Sequence, residues 1–173
     1  MVDSSVLSPF ARSERLVDLE RITAGWNRLA TRDVLAEIER GIQEHPALED
    51  ALSLPWLTEV RNDGVAELGA FAMYSRRLVD DKGRNVGEAS VLAHAEVHGC
   101  DALVDDETAV RLGRERGVEV RRSLAMIAAK VARGEVPEQE AERLVDDLIG
   151  GGARYPFAAG EEFIRWCTRN GLL

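Results

Sequence analysis

Gly87-Glu88-Ala89-Ser90-Val91-Leu92 and, a little downstream, Ala102-Leu103-Val104-Asp105-Asp106-Glu107-Thr108-Ala109 are the stretches on which the fold turns. The first sets an acid early in an apolar stretch of helical spacing, 86–97, that ends near Gly99. The second is a short apolar run, 102–104, that reads as a buried strand and stops at two aspartates. A helical stretch, 107–116, follows until Gly117 breaks it. In open α/β sheets, ligands gather beyond the carboxyl ends of the strands. Acids at such an end are therefore candidates for chemistry.

Outward from there the chain alternates short β-like runs with longer helical ones, which predicts a parallel sheet flanked by helices. Residues 27–30, 57–60 and 118–120 are further strand candidates, and 1–4 is a very short apolar start. Residues 6–20 read as two short helices interrupted at Pro9 and Ser13. Thr31 is placed to cap a helix running to 44, with Val34, Leu35, Ile38 and Ile42 on one face, and His45-Pro46 ends it. Asn62-Asp63-Gly64 is a turn before a long helix, 65–78, and 80–85 is a polar loop. Three more helices are predicted over 123–133, 137–149 and 160–170. The Gly150-Gly151-Gly152 run reads as a flexible joint. The domain proper is thus expected over 1–150, with 151–173 a helical extension packed on it.

Composition narrows the function classes. With 173 residues the chain fits one ordinary domain, large enough to bury a core without disulfides. Cys100 and Cys167 are too few and too far apart for a zinc motif, and they read as structural thiols. No apolar run is long enough to span a membrane and no secretory signal is evident, so a cytoplasmic protein with no membrane partner is expected. Net charge is −9, with 31 acids against 22 bases, the wrong sign for gripping a polynucleotide by bulk charge. Contact with nucleic acid must then be local.

Four regions carry the candidate chemistry: Asp3 with Ser4 and Ser5 after the first apolar run, Glu37 beside its helix's apolar stripe, Glu88, and Asp105-Asp106. Singly, each has a bland reading as a helix cap or a solvated helix face. Together and close, carboxylates repel one another unless something cancels the charge, and divalent metal does so. All-oxygen ligands suit Mg²⁺ or Mn²⁺.

The ordered set resembles the PIN-domain family. Val2-Asp3-Ser4-Ser5-Val6-Leu7 is similar to the family's first strand with its aspartate and following hydroxyl. Val34-Leu35-Ala36-Glu37-Ile38 resembles the helix that brings in the second acid, and Gly87-Glu88-Ala89-Ser90-Val91-Leu92 the third. Ala102-Leu103-Val104-Asp105-Asp106 resembles the fourth, with Val104 where a threonine is usual. The resemblance covers 1–148 and implies a three-layer α/β/α fold around a parallel sheet of four or five strands. It implies a Mg²⁺- or Mn²⁺-dependent endoribonuclease, similar to the small prokaryotic VapC-type toxins that are paired with an antitoxin. Carried onto this chain, the catalytic acids are Asp3, Glu37, Glu88 and Asp106, and the metal ligands Asp3, Glu88 and Asp106. Ser5 and Asp105 are supporting residues, with Asp105 the alternative fourth acid. Partners expected by resemblance are an RNA substrate, an antitoxin and a second copy of the chain in a homodimer. The alternative is a non-catalytic interaction or nucleic-acid-binding module on the same scaffold, to which the acidic net charge points.

Of the remaining residues, His94 and His98 have metal-binding spacing but no evident third ligand, which favours packing. Arg111, Arg114, Arg116, Arg121 and Arg122 either contact phosphates or pair with Glu107, Glu115 and Glu119. Trp26, Trp56 and Trp166 read as core or interface anchors.

Overall fold

A computed structural model describes residues 1–173. Its strands are β1 (Leu29–Thr31), β2 (Thr58–Val60), β3 (Ala102–Leu103) and β4 (Val120–Arg121). Its helices are α1 (Ser4–Arg12), α2 (Leu16–Ile22), α3 (Arg32–Gly41), α4 (Glu49–Leu52), α5 (Val65–Leu78), α6 (Val86–His98), α7 (Glu107–Glu115), α8 (Ser123–Ala132), α9 (Glu138–Gly150) and α10 (Phe163–Arg169).

β1 pairs in parallel with β2, and β3 in parallel with β4. Segment 1–3 joins the two ladders. Val2 N–H donates to the Leu29 carbonyl (2.7 Å), and Val2 bridges Leu103 in parallel. Leu103 N–H donates to Met1 (2.8 Å) and Asp3 N–H to Leu103 (3.1 Å). The order across the sheet is therefore β2, β1, segment 1–3, β3, β4. The chain leaves its central segment to one side, completes β1 and β2 there, and returns for β3 and β4 on the other. This reversal of strand order opens a crevice between the carboxyl ends of segment 1–3 and β3.

α6 sits at the heart of the molecule. Every residue from Gly87 to Ala95 is buried, and the helix packs on α3, α5, α7, β1 and β3. A helix apolar on all sides belongs in a core, which makes Glu88 an exception to be explained. α5 lies outside α6 and leaves Val65 and Leu68 exposed. No helix is long and apolar enough to cross a membrane.

Several expectations are corrected. Pro9 does not break α1, which runs unbroken from a cap at Asp3 to Ser13. Burial of Val6, Leu7, Phe10 and Ala11 outweighs the hydrogen bond that proline removes. After Pro46 a 3₁₀ turn (Pro46–Leu48) and α4 follow, unsignalled by periodicity because each is a single turn. The glycine run is no flexible joint. Gly150 ends α9, and Gly151 is buried where a Cβ would come within 2.5 Å of the Pro9 carbonyl. Gly152, at φ +99°, lies against the Arg12 guanidinium. Beyond it, Gly160 nests on α9 so closely that any side chain would strike the Glu142 carbonyl, and its N–H donates to Asp146 Oδ1 (3.1 Å). Phe163 and Cys167 of the last turns are fully buried in the common core.

Candidate active site

Asp3 and Asp106 both occupy the position just after a strand and just before a helix. Each has an extended backbone and caps the following helix, Asp3 through Ser5 N–H (2.9 Å) and Asp106 through Ala109 N–H (2.8 Å). The capping role read from sequence is thus present, but it uses one carboxylate oxygen of each. Asp3 Oδ2 takes both bonds from Ser5, including its hydroxyl at 2.5 Å. Asp3 Oδ1 is buried and has no partner. Asp106 accepts at Oδ1 alone and borders a large hollow that opens on the crevice.

Ser5 spans the crevice. Its hydroxyl donates to Asp3 and accepts from Asp105 N–H (3.0 Å), so its proton direction is fixed. Asp105 points elsewhere. Its Oδ1 accepts from Ser123 N–H (2.8 Å) and its Oδ2 from the Ser123 hydroxyl (2.5 Å). That serine has given up its only proton, so the Tyr155 hydroxyl, 2.9 Å away, donates to it. Both Asp105 oxygens are committed to holding α8, which leaves Asp106 as the acid with an oxygen to spare.

Glu37 reaches in from α3 and is held by the Ser4 hydroxyl (2.7 Å) and by Gly87 N–H (2.8 Å) at the first turn of α6. A side chain at Gly87 would collide with that carboxylate, which explains the glycine before Glu88. Ser90, one turn on, accepts from Thr31 and donates to the Gly87 carbonyl, tying the cap of α3 to α6. Gly87→Ala therefore displaces the Glu37 carboxylate. Alanine favours a helix over glycine by about 1 kcal/mol, which offsets the clash. The variant is expected to keep its urea midpoint but lose at least about tenfold in Mn²⁺ affinity, as when a group that lies behind the ligands is displaced. Calorimetric titration with Mn²⁺ beside a denaturation curve checks this, and unaltered Mn²⁺ affinity would show that the position of Glu37 is immaterial.

Glu88 is 7% exposed, and its Oε2 is buried without a partner. Its carboxyl is pushed far above the usual range, first by burial and then by Asp3, Glu37 and Asp106. Asp3 is pushed up by burial and by Glu37 against the pull of its Ser5 bonds. The charges of Asp3, Glu37 and Asp106 thus reach Glu88, and that of Glu37 reaches Asp3, whereas both oxygens of Asp105 are bound to Ser123. No three His, Cys, Asp or Glu side chains form a ready-made metal cage. Mg²⁺ takes one or two carboxylates and keeps several waters. Two buried carboxylate oxygens without partners, in an all-oxygen setting beside a hollow, fit such an ion and do not suit a soft metal.

Sequence reasoning did not single out Ser4 or Ser123 as holders of these acids, nor Arg12 and Arg154 beside the hollow. Ser123 was legible only as a helix start, since its partner lies 18 residues back. Of the arginines after the double aspartate, Arg122 pairs with Glu107 and Arg121 with Glu119 and Asp101, and both line the hollow with Arg114. Arg116 pairs with Glu96 instead. His94 and His98 stack, ring centroids 4.2 Å apart, and bond Asn62 and Glu67. Trp26, Trp56 and Trp166 all pack against the core, and Trp166 also borders the hollow.

A family model described as a PIN domain matches residues 1–168. No curated protein and no solved structure matches the chain. PIN domains have a three-layer α/β/α fold and are in general nucleases that use divalent metals. The match spans nearly the whole chain and runs into the last helix, and the acids meet where strand order reverses: the chain belongs to the PIN-domain family.

Proposed function

We propose that this protein is a cytoplasmic, Mg²⁺- or Mn²⁺-dependent endoribonuclease that hydrolyses phosphodiester bonds of RNA. One observation carries the reading. Asp3 Oδ1 and Glu88 Oε2 are buried without partners, on carboxyls whose proton affinity is raised first by burial and then by neighbouring acids, Asp3 acting on Glu88 and Glu37 on Asp3. A buried charge without a partner is costly enough to be selected against unless it has a use. Asp3, Glu88 and Asp106 would hold the ion, with Glu37 adding negative charge behind them. When bound, the ion supplies charge neutralisation at the phosphate and an activated water.

The chain's own groups do the positioning. Ser5 locks Asp3 with both its N–H and its hydroxyl, and the Asp105 N–H locks Ser5 in turn. Ser4 and Gly87 hold Glu37 from two elements, so Asp3 and Glu37 cannot swing apart to relieve their repulsion. Such fixed placement is what metal and phosphate geometry require.

The same reading takes the protein as the toxin of a toxin–antitoxin pair. An antitoxin segment with a basic residue would suit the acidic crevice. A homodimer is supported by the exposed Val65 and Leu68 of α5. The test is direct. Purified chain should cut a labelled single-stranded RNA with Mg²⁺ or Mn²⁺ and not with EDTA, and should bind Mn²⁺ by calorimetry. No cleavage with either ion, together with no Mn²⁺ uptake, would leave the interaction-module alternative standing.

A further inference from the structure

Two hollows flank the carboxylates, and Glu88 lines both. The larger, about 1070 Å³, runs from Ser5 and Asp106 towards the C-terminal segment, where Arg12, Arg154 and Trp166 line it. The smaller, about 320 Å³, is bounded by Arg40, Lys82 and Arg84. Glu88 thus stands between two hollows, each of which carries basic side chains on its lining.

The arginines of the larger hollow are not equivalent. Arg114 donates to the Val120 carbonyl, Arg121 is held by Asp101 and Glu119, and Arg122 by Glu107 and the Asp105 carbonyl. Arg12 and Arg154 have no ion pair and no side-chain hydrogen bond, although acids outnumber bases 31 to 22 in this chain. Such guanidinium groups remain available to a phosphate. Their placement is built into the backbone. Gly151 lets the chain close on α1, and Gly152 leaves room for the Arg12 guanidinium, which brings residues of the two ends of the sequence onto one wall. Trp166 is half-buried, braced by Phe157 at 5.8 Å between ring centroids. A braced aromatic ring beside free arginines is the combination that holds single-stranded nucleic acid, because every base has a face to stack and every phosphate a charge to pair. A base inside a duplex offers no free face, so a double strand gains the phosphate contacts alone.

We infer that Arg12, Arg154 and Trp166 form the docking arm for single-stranded RNA on the C-terminal side of the carboxylates, with Lys82 and Arg40 receiving the strand on the far side of Glu88. This rests on the ribonuclease reading for its choice of strand, but binding is separable from cleavage. Arg12 and Arg154 act on the backbone whatever the sequence. Trp166 favours a base at one position.

The experiment is fluorescence anisotropy with a labelled 12-nucleotide RNA and its duplex, in Ca²⁺ instead of Mg²⁺, with the RNA checked on a gel afterwards. The single strand is expected to bind more tightly than the duplex. Arg12→Ala with Arg154→Ala should weaken it at least about tenfold and reduce the salt slope by roughly 1.4, the loss of two phosphate contacts on a single strand. Trp166→Phe, which keeps the packing against Phe157, should retain most of the affinity, and Trp166→Ala should lose about tenfold. Arg133→Ala, at a site remote from the hollow, should change nothing. In cleavage assays the double variant should raise KM and spare kcat. Wild-type affinity and salt slope in the double variant, or equal binding of the duplex, would overturn the docking arm while leaving the nuclease intact. A wild type that binds in this manner but cuts nothing would overturn the nuclease and keep the arm.

Discussion

Glu88→Gln is expected to lower RNA cleavage by at least about a hundredfold, since several kcal/mol of charge stabilisation depends on the ion and its ligands. The same change is expected to make the metal-free protein harder to unfold. The two effects have one cause. Glu88 lies in a helix buried on every side, with an unpartnered oxygen and three acids raising its proton affinity. The glutamine amide has almost the same shape and no charge, so the substitution removes the repulsion and keeps the packing. Urea denaturation at pH 8 without metal should give a higher midpoint for the variant. A residue that serves the fold would behave in the opposite way, losing stability when altered. A variant that cuts RNA at the wild-type rate, or whose midpoint falls, would remove Glu88 from the proposed centre.

Divalent ions should stabilise the wild type, and more so as pH rises. An ion at a hundred times its Kd contributes about 2.7 kcal/mol. For a domain of this size that corresponds to roughly 5–10 °C in Tm. The pH trend follows from the direction of the shifts. Asp3 and Glu88 have folded-state values raised to about 7 and about 9, above those of an unfolded chain. A raised carboxyl gives its full stability below the unfolded value and loses it as pH climbs through the folded one. Without metal, Asp3 therefore weakens the fold between about pH 3.8 and 7, and Glu88 between about pH 4.5 and 9. An ion binds the deprotonated pair, so it restores most where protons no longer compete. His94 and the N-terminal amine, both pushed down by burial, tilt the curve the other way. The quantity to follow is accordingly the difference between wild type and Glu88→Gln, in which those contributions cancel. Thermal scans at pH 6 and pH 8.5 with and without Mn²⁺ check it. An Mn²⁺ shift that is equal at both pH values would mean that the ion binds elsewhere.

Much of the architecture was legible because it is written locally. The spacing of Val34, Leu35 and Ile38 after Thr31 placed α3, and Gly99 and Gly117 marked the ends of α6 and α7 where left-handed residues are needed. Asp3 and Glu88 were legible only as members of an ordered set, because each taken singly reads as a helix cap or a solvated helix face. The choice between Asp105 and Asp106 was not legible, because it depends on a serine and a tyrosine 18 and 50 residues further on. Pro9 misled for a related reason: local chemistry says break, and burial of the face around it says continue. The arginines at 12 and 154 looked ordinary, since what distinguishes them is that they line the hollow beside the acids, a position set by the fold.

The hydroxyls of Tyr155, Ser123 and Ser5 form a single strut from the tail of the chain, through Asp105, to the carboxylate of Asp3. Any minimal nuclease trimmed at the glycine run would lose the far anchor of that strut along with a wall of the groove. The tail is therefore scaffolding rather than appendage, and shortening the chain from this end would open the core at Phe163 and Cys167 and release the candidate carboxylates together.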